Sequence, residues 1–142
     1  MPATFVDTNV LVYLVDDDEP GKQRRARAVL AEAVRGGLVL SGQILGEFYV
    51  TVTRKLRRPL DPDAAYEALH WLGRFTIVPI DNELVHGAAR TSRVARVSYW
   101  DGLVLVAAAT GGCDRVLSED LNDGQLYGSV RVENPFRELA PG

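Results

Sequence analysis

The stretch TFVDTNVLVYLVDDDEP, residues 4–20, opens on strand-forming residues and then sets a carboxylate, Asp7, where an apolar run should continue. Asp7, Thr8 and Asn9 are all good N-cap types, and Val10 to Val15 is apolar again, so a short strand passes directly into a helix. Asp16 to Gly21 then reads as a polar loop. This strand-to-helix junction decides the fold class, because the chain goes on to repeat it.

Pro20 to Arg35 carries Ala26, Val29, Leu30, Ala33 and Val34 at helical spacing, and Gly36-Gly37 ends the segment. Leu38 to Leu40 is a second strand. A helix follows from about Gly42 to Arg58, stopped by Pro59, and another runs from Pro62 to about Gly73. Phe75 to Ile80, rich in β-branched residues, is a third strand reaching Asp81, which caps a helix to roughly Arg96. Tyr99 to Thr110 is apolar almost all round after Asp101, as expected of a helix packed inside a domain. Arg115 to Leu117 is a fourth strand and Val130 to Val132 a fifth. Strands alternating with helices predict an α/β fold with a mainly parallel central sheet and helices on both faces.

The 142 residues, 46% hydrophobic and 25% charged, suit one domain, 1–142, with no long linker or internal repeat. The amino end has no basic leader and no apolar run approaches a membrane span, so the expectation is a cytoplasmic protein without a membrane partner. One cysteine, Cys113, excludes an internal disulfide or a thiolate-rich metal site. The two histidines, His70 and His86, lack the spacing of a zinc-binding helix. A net charge of -3 argues against coating nucleic acid by bulk charge, though local basic tracks remain. The cations are nearly all Arg and fall in clusters, among them Lys22, Arg24, Arg25 and Arg27, and Arg54, Lys55, Arg57 and Arg58. These serve equally as solvated helix faces or as phosphate grips.

Most of the 19 acids suit loops, caps and surfaces. Four do not reduce so simply. Asp7 and Asp120 each stand just past the carboxyl end of a strand, where open α/β sheets place ligands, although a cap or a turn would also use Asp there. Glu47, in QILGEFYVTV, shares a helix face with apolar Ile44 and Val50 and with Thr51, so its carboxylate either has a cation or metal beside it, with an Arg partner as the plain alternative, or snorkels to the edge. Asp101 opens the apolar helix, where it is either a dipole-favoured first-turn acid or a group aimed into a cleft. If all four share one crevice, their repulsion calls for a hard cation with oxygen ligands, Mg²⁺ or Mn²⁺. Such an ion activates water and stabilises charge on a phosphodiester.

FVDTNVLVYLVD, GEFYVTVTRK, YWDGLVLVAA and VLSEDLNDGQ, in that order across essentially the whole chain, resemble the successive acidic motifs of PIN-domain ribonucleases, in particular the VapC-type toxins of bacterial toxin-antitoxin pairs. The resemblance implies a three-layer α/β/α sandwich and Mg²⁺- or Mn²⁺-dependent endonucleolytic cleavage of RNA. Asp7, Glu47, Asp101 and Asp120 match the acidic quartet, as catalytic residues and metal ligands together. Ser118 matches the hydroxyl residue that accompanies the fourth acid, and Thr8 and Asn9 match positions shaping the loop around the first. Asp123 lies where the match weakens and LNDG equally suits a turn, so it stays outside the main site. A homodimer and a cognate VapB-like antitoxin are also implied, with Arg24, Arg25, Arg57 and Arg58 as candidate RNA contacts.

Three other functions are open to the sequence. A PIN-domain nuclease can process RNA without acting as a toxin, and a domain of this kind can bind nucleic acid without cutting it. A phosphoacceptor receiver module, from a different class, is also a small α/β protein with an acidic pocket. It needs a lysine near that pocket, and both lysines here, Lys22 and Lys55, fall in helix-like Arg clusters.

Overall fold

The computed structural model describes residues 2–139. Strand β1 (Ala3–Val6) runs into helix α1 (Thr8–Tyr13), and α2 (Pro20–Gly36) returns the chain to β2 (Leu38–Ser41). Pro20 supplies a helical φ at the start of α2, and Gly37 ends it at φ 104°, a conformation that suits glycine. Helix α3 (Gly42–Val50) begins with no connecting loop, its amino end capped by Ser41, whose Oγ accepts from the Ile44 amide. Then come α4 (Pro62–Leu72), β3 (Thr76–Val78), α5 (Asn82–Ala95), α6 (Tyr99–Thr110) and β4 (Cys113–Leu117). A short hairpin, β5 (Leu126–Tyr127) with β6 (Val130–Glu133), completes the sheet.

The strand order is β3-β2-β1-β4-β6-β5, parallel throughout except that β5 runs antiparallel to β6. Every residue of β2 is buried, and Thr4, Phe5 and Val6 of β1 are buried as well, as a parallel sheet covered by helices on both faces requires. Helix α6 packs on β2 and β4 with α5 outside it, while α2 packs on β1 and β2. The expected three-layer sandwich with a mainly parallel sheet is the fold observed. Its strand order differs from the 2-1-3-4-5 order of flavodoxin-like and receiver folds.

The chain works outward from β1 through β2 to β3, then crosses to the other side of β1 for β4. The reversal therefore lies between β1 and β4, whose carboxyl ends are in register, Val6 opposite Leu117. Open α/β sheets bind ligands in the crevice at such a switch point. The next residues of the two strands are Asp7 and Ser118.

Three expectations need correction. The helix assigned to Gly42–Arg58 leaves α geometry after Val50, continues as a π-helical turn over Thr51–Lys55, and stops at Leu56, whose extended backbone (φ -73°, ψ 148°) precedes Pro59. Strand β6 was legible but its two-residue partner β5 was not, being shorter than any periodicity can register. Val34, counted on the apolar face of α2, is 44% exposed, and Ala26, Val29, Leu30 and Ala33 alone carry that helix's burial.

Candidate functional site

Asp7 is both the cap of α1 and a buried acid. Its Oδ1 accepts from the Thr8 amide at 2.8 Å, and its Oδ2 accepts from Ser118 Oγ at 2.7 Å and from Asn9 Nδ2 at 3.4 Å. Burial pushes its pKa up to about 6; the Ser118 and Thr8 bonds oppose that rise, and the charges of Asp120 and Glu47 add to it. The Ser118 hydroxyl, itself fully buried, also accepts from the Asp120 amide at 3.1 Å. Asn9 closes the crevice: its Nδ2 reaches Asp120 Oδ2 at 3.0 Å, and its Oδ1 accepts from the Glu119 amide at 3.1 Å. One carboxamide thus ties the loop after β1 to the loop after β4.

Glu47 takes the edge alternative, on a face that departs from expectation. It is exposed, and the buried stripe of its helix is Ile44 and Phe48, while Val50, expected to share its apolar face, is 44% exposed. Nor does it meet an Arg. Its Oε2 accepts from Thr8 Oγ1 at 2.9 Å and its Oε1 from Gln43 Nε2 at 2.8 Å; the same amide reaches the Trp100 carbonyl at 3.3 Å. Gln43 lies one helical turn before Glu47, a spacing that brings side chains together. Asp101 stands half-buried in the first turn of α6, whose cap Ser98 accepts from the Asp101 amide at 3.0 Å. Burial raises the Asp101 pKa, the Ser98 hydroxyl lowers it, and Asp120 and Glu47 raise it again.

The same two charges, Asp120 and Glu47, therefore act on both Asp7 and Asp101, so the four acids share one electrostatic environment. Among the described residues none of the four pairs with Lys or Arg; the ion pairs join other acids. A depression of about 310 Å³ opens between Thr8, Asn9, Tyr13, Glu47, Thr51 and Asp120. Beyond Glu47 a groove of about 750 Å³ continues past Gln43, Lys55, Ile80 and Trp100. An all-oxygen donor set in which Asp7 and Asp101 are destabilised as charges, with no Lys or Arg counterion among the described residues, fits a hard divalent cation. As the side chains stand, no three acid, histidine or cysteine groups among the described residues converge into a coordination set. The Asn9 amide between Asp7 and Asp120, and the bonds that Thr8 and Gln43 make to Glu47, account for that separation.

The basic residues divide. Arg24 and Arg57 are exposed, whereas Arg25 Nε donates to the Pro135 carbonyl at 2.9 Å and Arg58 pairs with Asp18. Asp123 accepts from the Asn134 amide at 2.8 Å and pairs with Arg137 at 3.1 Å, a turn and strap role next to Gly124 at φ 83°. A second cavity of about 750 Å³ lies below this strap, but its Arg25, Arg115, Arg131 and Arg137 are each bound to protein oxygens. Sequence reasoning missed Gln43, for which the four-residue spacing to Glu47 was an available signal. It also missed Tyr13 and Lys22, which bind Glu119 at 2.7 and 2.6 Å; no local signal marks partners about a hundred residues apart.

Solved structures with this fold include VapC20 of Mycobacterium tuberculosis, a sarcin-ricin-loop-cleaving toxin (16% identity, TM-score 0.63, covering 83% of this chain and 92% of that one). FitAcB of Neisseria gonorrhoeae is similar at 21% identity and TM-score 0.64, over 94% of this chain and 99% of that one. The DNA-bound VapBC of Salmonella typhimurium is similar at 16% identity and TM-score 0.68, over 95% and 99%. No curated protein matches the chain significantly. The sequence profile of the PIN domain matches residues 4–123, which contain all four acids and both strand ends that meet at the crevice. With that match over most of its length and the sheet order to go with it, the chain belongs to the PIN domain family.

Proposed function

We propose that the chain is a single nuclease domain, residues 1–142, that cleaves RNA phosphodiester bonds with a divalent cation, Mg²⁺ or Mn²⁺, and serves as the toxin of a toxin-antitoxin pair. The observation that carries the reading is the set of four acids, Asp7, Glu47, Asp101 and Asp120, around the switch point of the sheet, none of them paired with Lys or Arg among the described residues. Asp7, Asp101 and Asp120 would hold the ion, and Glu47 would complete or tune the set. When bound, the ion activates a water and stabilises the charge that develops on the phosphodiester. Ser118 and Thr8 hold Asp7 and Glu47 in orientation through the bonds described, and Asn9 keeps Asp120 facing Asp7. The exposed Arg24 and Arg57 would grip the RNA backbone; Arg25 and Arg58 would have to exchange present partners to join them.

The toxin role is supported by the neighbours' company: VapC20 is a sarcin-ricin-loop-cleaving toxin, and a toxin-antitoxin complex from Klebsiella pneumoniae shares the fold. By that likeness the partners are an RNA substrate, a VapB-like antitoxin and a second copy of the chain, acting in the cytoplasm. No helix among the described residues is long and apolar enough to cross a membrane.

The test is cleavage of a defined RNA by the wild type, Asp7→Asn and Asp101→Asn, with Mg²⁺ or Mn²⁺ and with excess EDTA. Wild type should cut only with the ion, and each variant should lose about two orders of magnitude or more in rate while keeping its circular dichroism. Undiminished cutting in EDTA would sink the reading. Expression of the wild type alone should arrest growth and Asp7→Asn should not; RNA cleavage without arrest would leave a processing nuclease.

A further inference from the structure

Glu119 sits between the buried Ser118 and the site acid Asp120, yet its carboxylate belongs to another network. Tyr13 Oη donates to it at 2.7 Å and Lys22 Nζ at 2.6 Å, and Lys22 also donates to Tyr13 Oη at 3.1 Å. The ammonium lies 4.9 Å from the centre of the Tyr13 ring and 5.7 Å from that of Phe136, and the two rings meet edge to face at 4.9 Å. Lys22 and Glu119 keep only 29% and 25% of their side-chain surface exposed, so the pair is partly shielded and charge-assisted.

Phe136 arrives from the far end of the chain. It is buried, and the strap that bears it is fastened by Asp123 to the Asn134 amide, by Asn134 to the Phe136 amide and by Arg25 to the Pro135 carbonyl. The PIN-domain match ends at residue 123, so this strap lies outside the matched residues.

The Asp120 carboxylate is exposed and among the described residues takes its side-chain hydrogen bond from Asn9, while the Asp120 amide donates to Ser118 Oγ, so its placement is inherited from its neighbours. Through its bonds to Glu119 and Tyr13, Lys22 clamps the residue next to Asp120 onto α1 and α2.

We propose that Lys22, Tyr13 and Phe136 act through Glu119 as positioning residues for Asp120, so that the strap 134–136 helps set the cation affinity of the acidic site. The identity of the ligand rests on the nuclease reading; the positioning does not. The double variant K22M/E119Q removes one positive and one negative charge, so electrostatics alone leaves cation affinity unchanged. Positioning predicts Mn²⁺ binding weaker by about ten-fold, read by electron paramagnetic resonance titration of the full chain. Y13F, which changes no charge, should weaken it by a smaller factor. In the metal-free protein, amide hydrogen exchange over residues 118–121 should quicken in K22M/E119Q, Y13F and F136L. Wild-type exchange and wild-type Mn²⁺ affinity in K22M/E119Q would overturn the proposal, and wild-type exchange in F136L alone would remove the strap from it. Should the wild type bind no Mn²⁺, the nuclease reading fails, and exchange still decides the positioning.

Discussion

Burial costs the Asp7 carboxylate more than its hydrogen bonds return, which is why its pKa stands near 6 instead of 3.8. Folding therefore favours the acid form. Between those two values the native state holds more protons than the unfolded chain, so the cation-free protein loses stability as pH rises from 3.8 through about 6 and no more above that. The loss is on the order of 3 kcal/mol. Asp7→Asn should consequently raise the unfolding free energy by about 1–3 kcal/mol at about pH 7.5 and by much less at about pH 4.5, measured by urea denaturation without divalent ions. An equal gain at both pH values would show that the carboxylate is not strained by burial. Mn²⁺ should raise the melting temperature of the wild type and leave that of Asp7→Asn where it was. The capping bond alone does not require a carboxylate at this position, since Asn caps helices as well.

Helix α6 shows why an acid can be held still at the edge of a cleft. A Cβ on Gly102 would come within 2.7 Å of the Ala88 carbonyl and 3.3 Å of the Ser92 amide, so α5 and α6 touch backbone to backbone beside Asp101. Gly102→Ala should lower stability by about 1–3 kcal/mol and reduce cleavage as well, since α6 must move away from α5 at its first turn. Gly111→Ala meets Val39 Cγ1 at 2.7 Å at the other end of the helix; it should cost similar stability in thermal denaturation and leave cleavage near wild type. Equal activity in the two variants would break the link between that contact and Asp101. The span of this helix, its all-round apolar body and its end at Gly111 were legible; its cap, Ser98, was not read. The apolar face assigned to Glu47 was misjudged because i, i+3 and i+4 spacing names a helix face without saying whether core or cleft lies opposite, and Val50 looks apolar either way; of the alternatives for Glu47, the exposed one holds. The π-helical turn and the two-residue β5 were invisible for a different reason, since each depends on tertiary contacts and not on period.

Across the molecule, the -3 net charge and an acidic crevice mean that, on the proposed function, RNA would have to be drawn by a few arginines and not by the overall field. Arg24→Ala and Arg57→Ala should each weaken RNA binding at low salt and reduce the salt slope by about one, measured by titration at several ionic strengths. Arg58→Ala should chiefly loosen the Asp18 loop, because that guanidinium is already paired. Sequence gave away the α/β alternation and the four acids, each visible in its own neighbourhood, but not the Lys22–Glu119 pair, whose members only folding brings together. The bond from Ser118 to Asp7 spans 111 residues, and strand β4 cannot take its place beside β1 until nearly all of the chain exists. At a synthesis rate of about 5–20 residues per second, the two halves of the crevice are made about 5–20 s apart. On the nuclease reading, a growing chain would thus leave the RNA around it uncut, the messenger included, until β4 has been made.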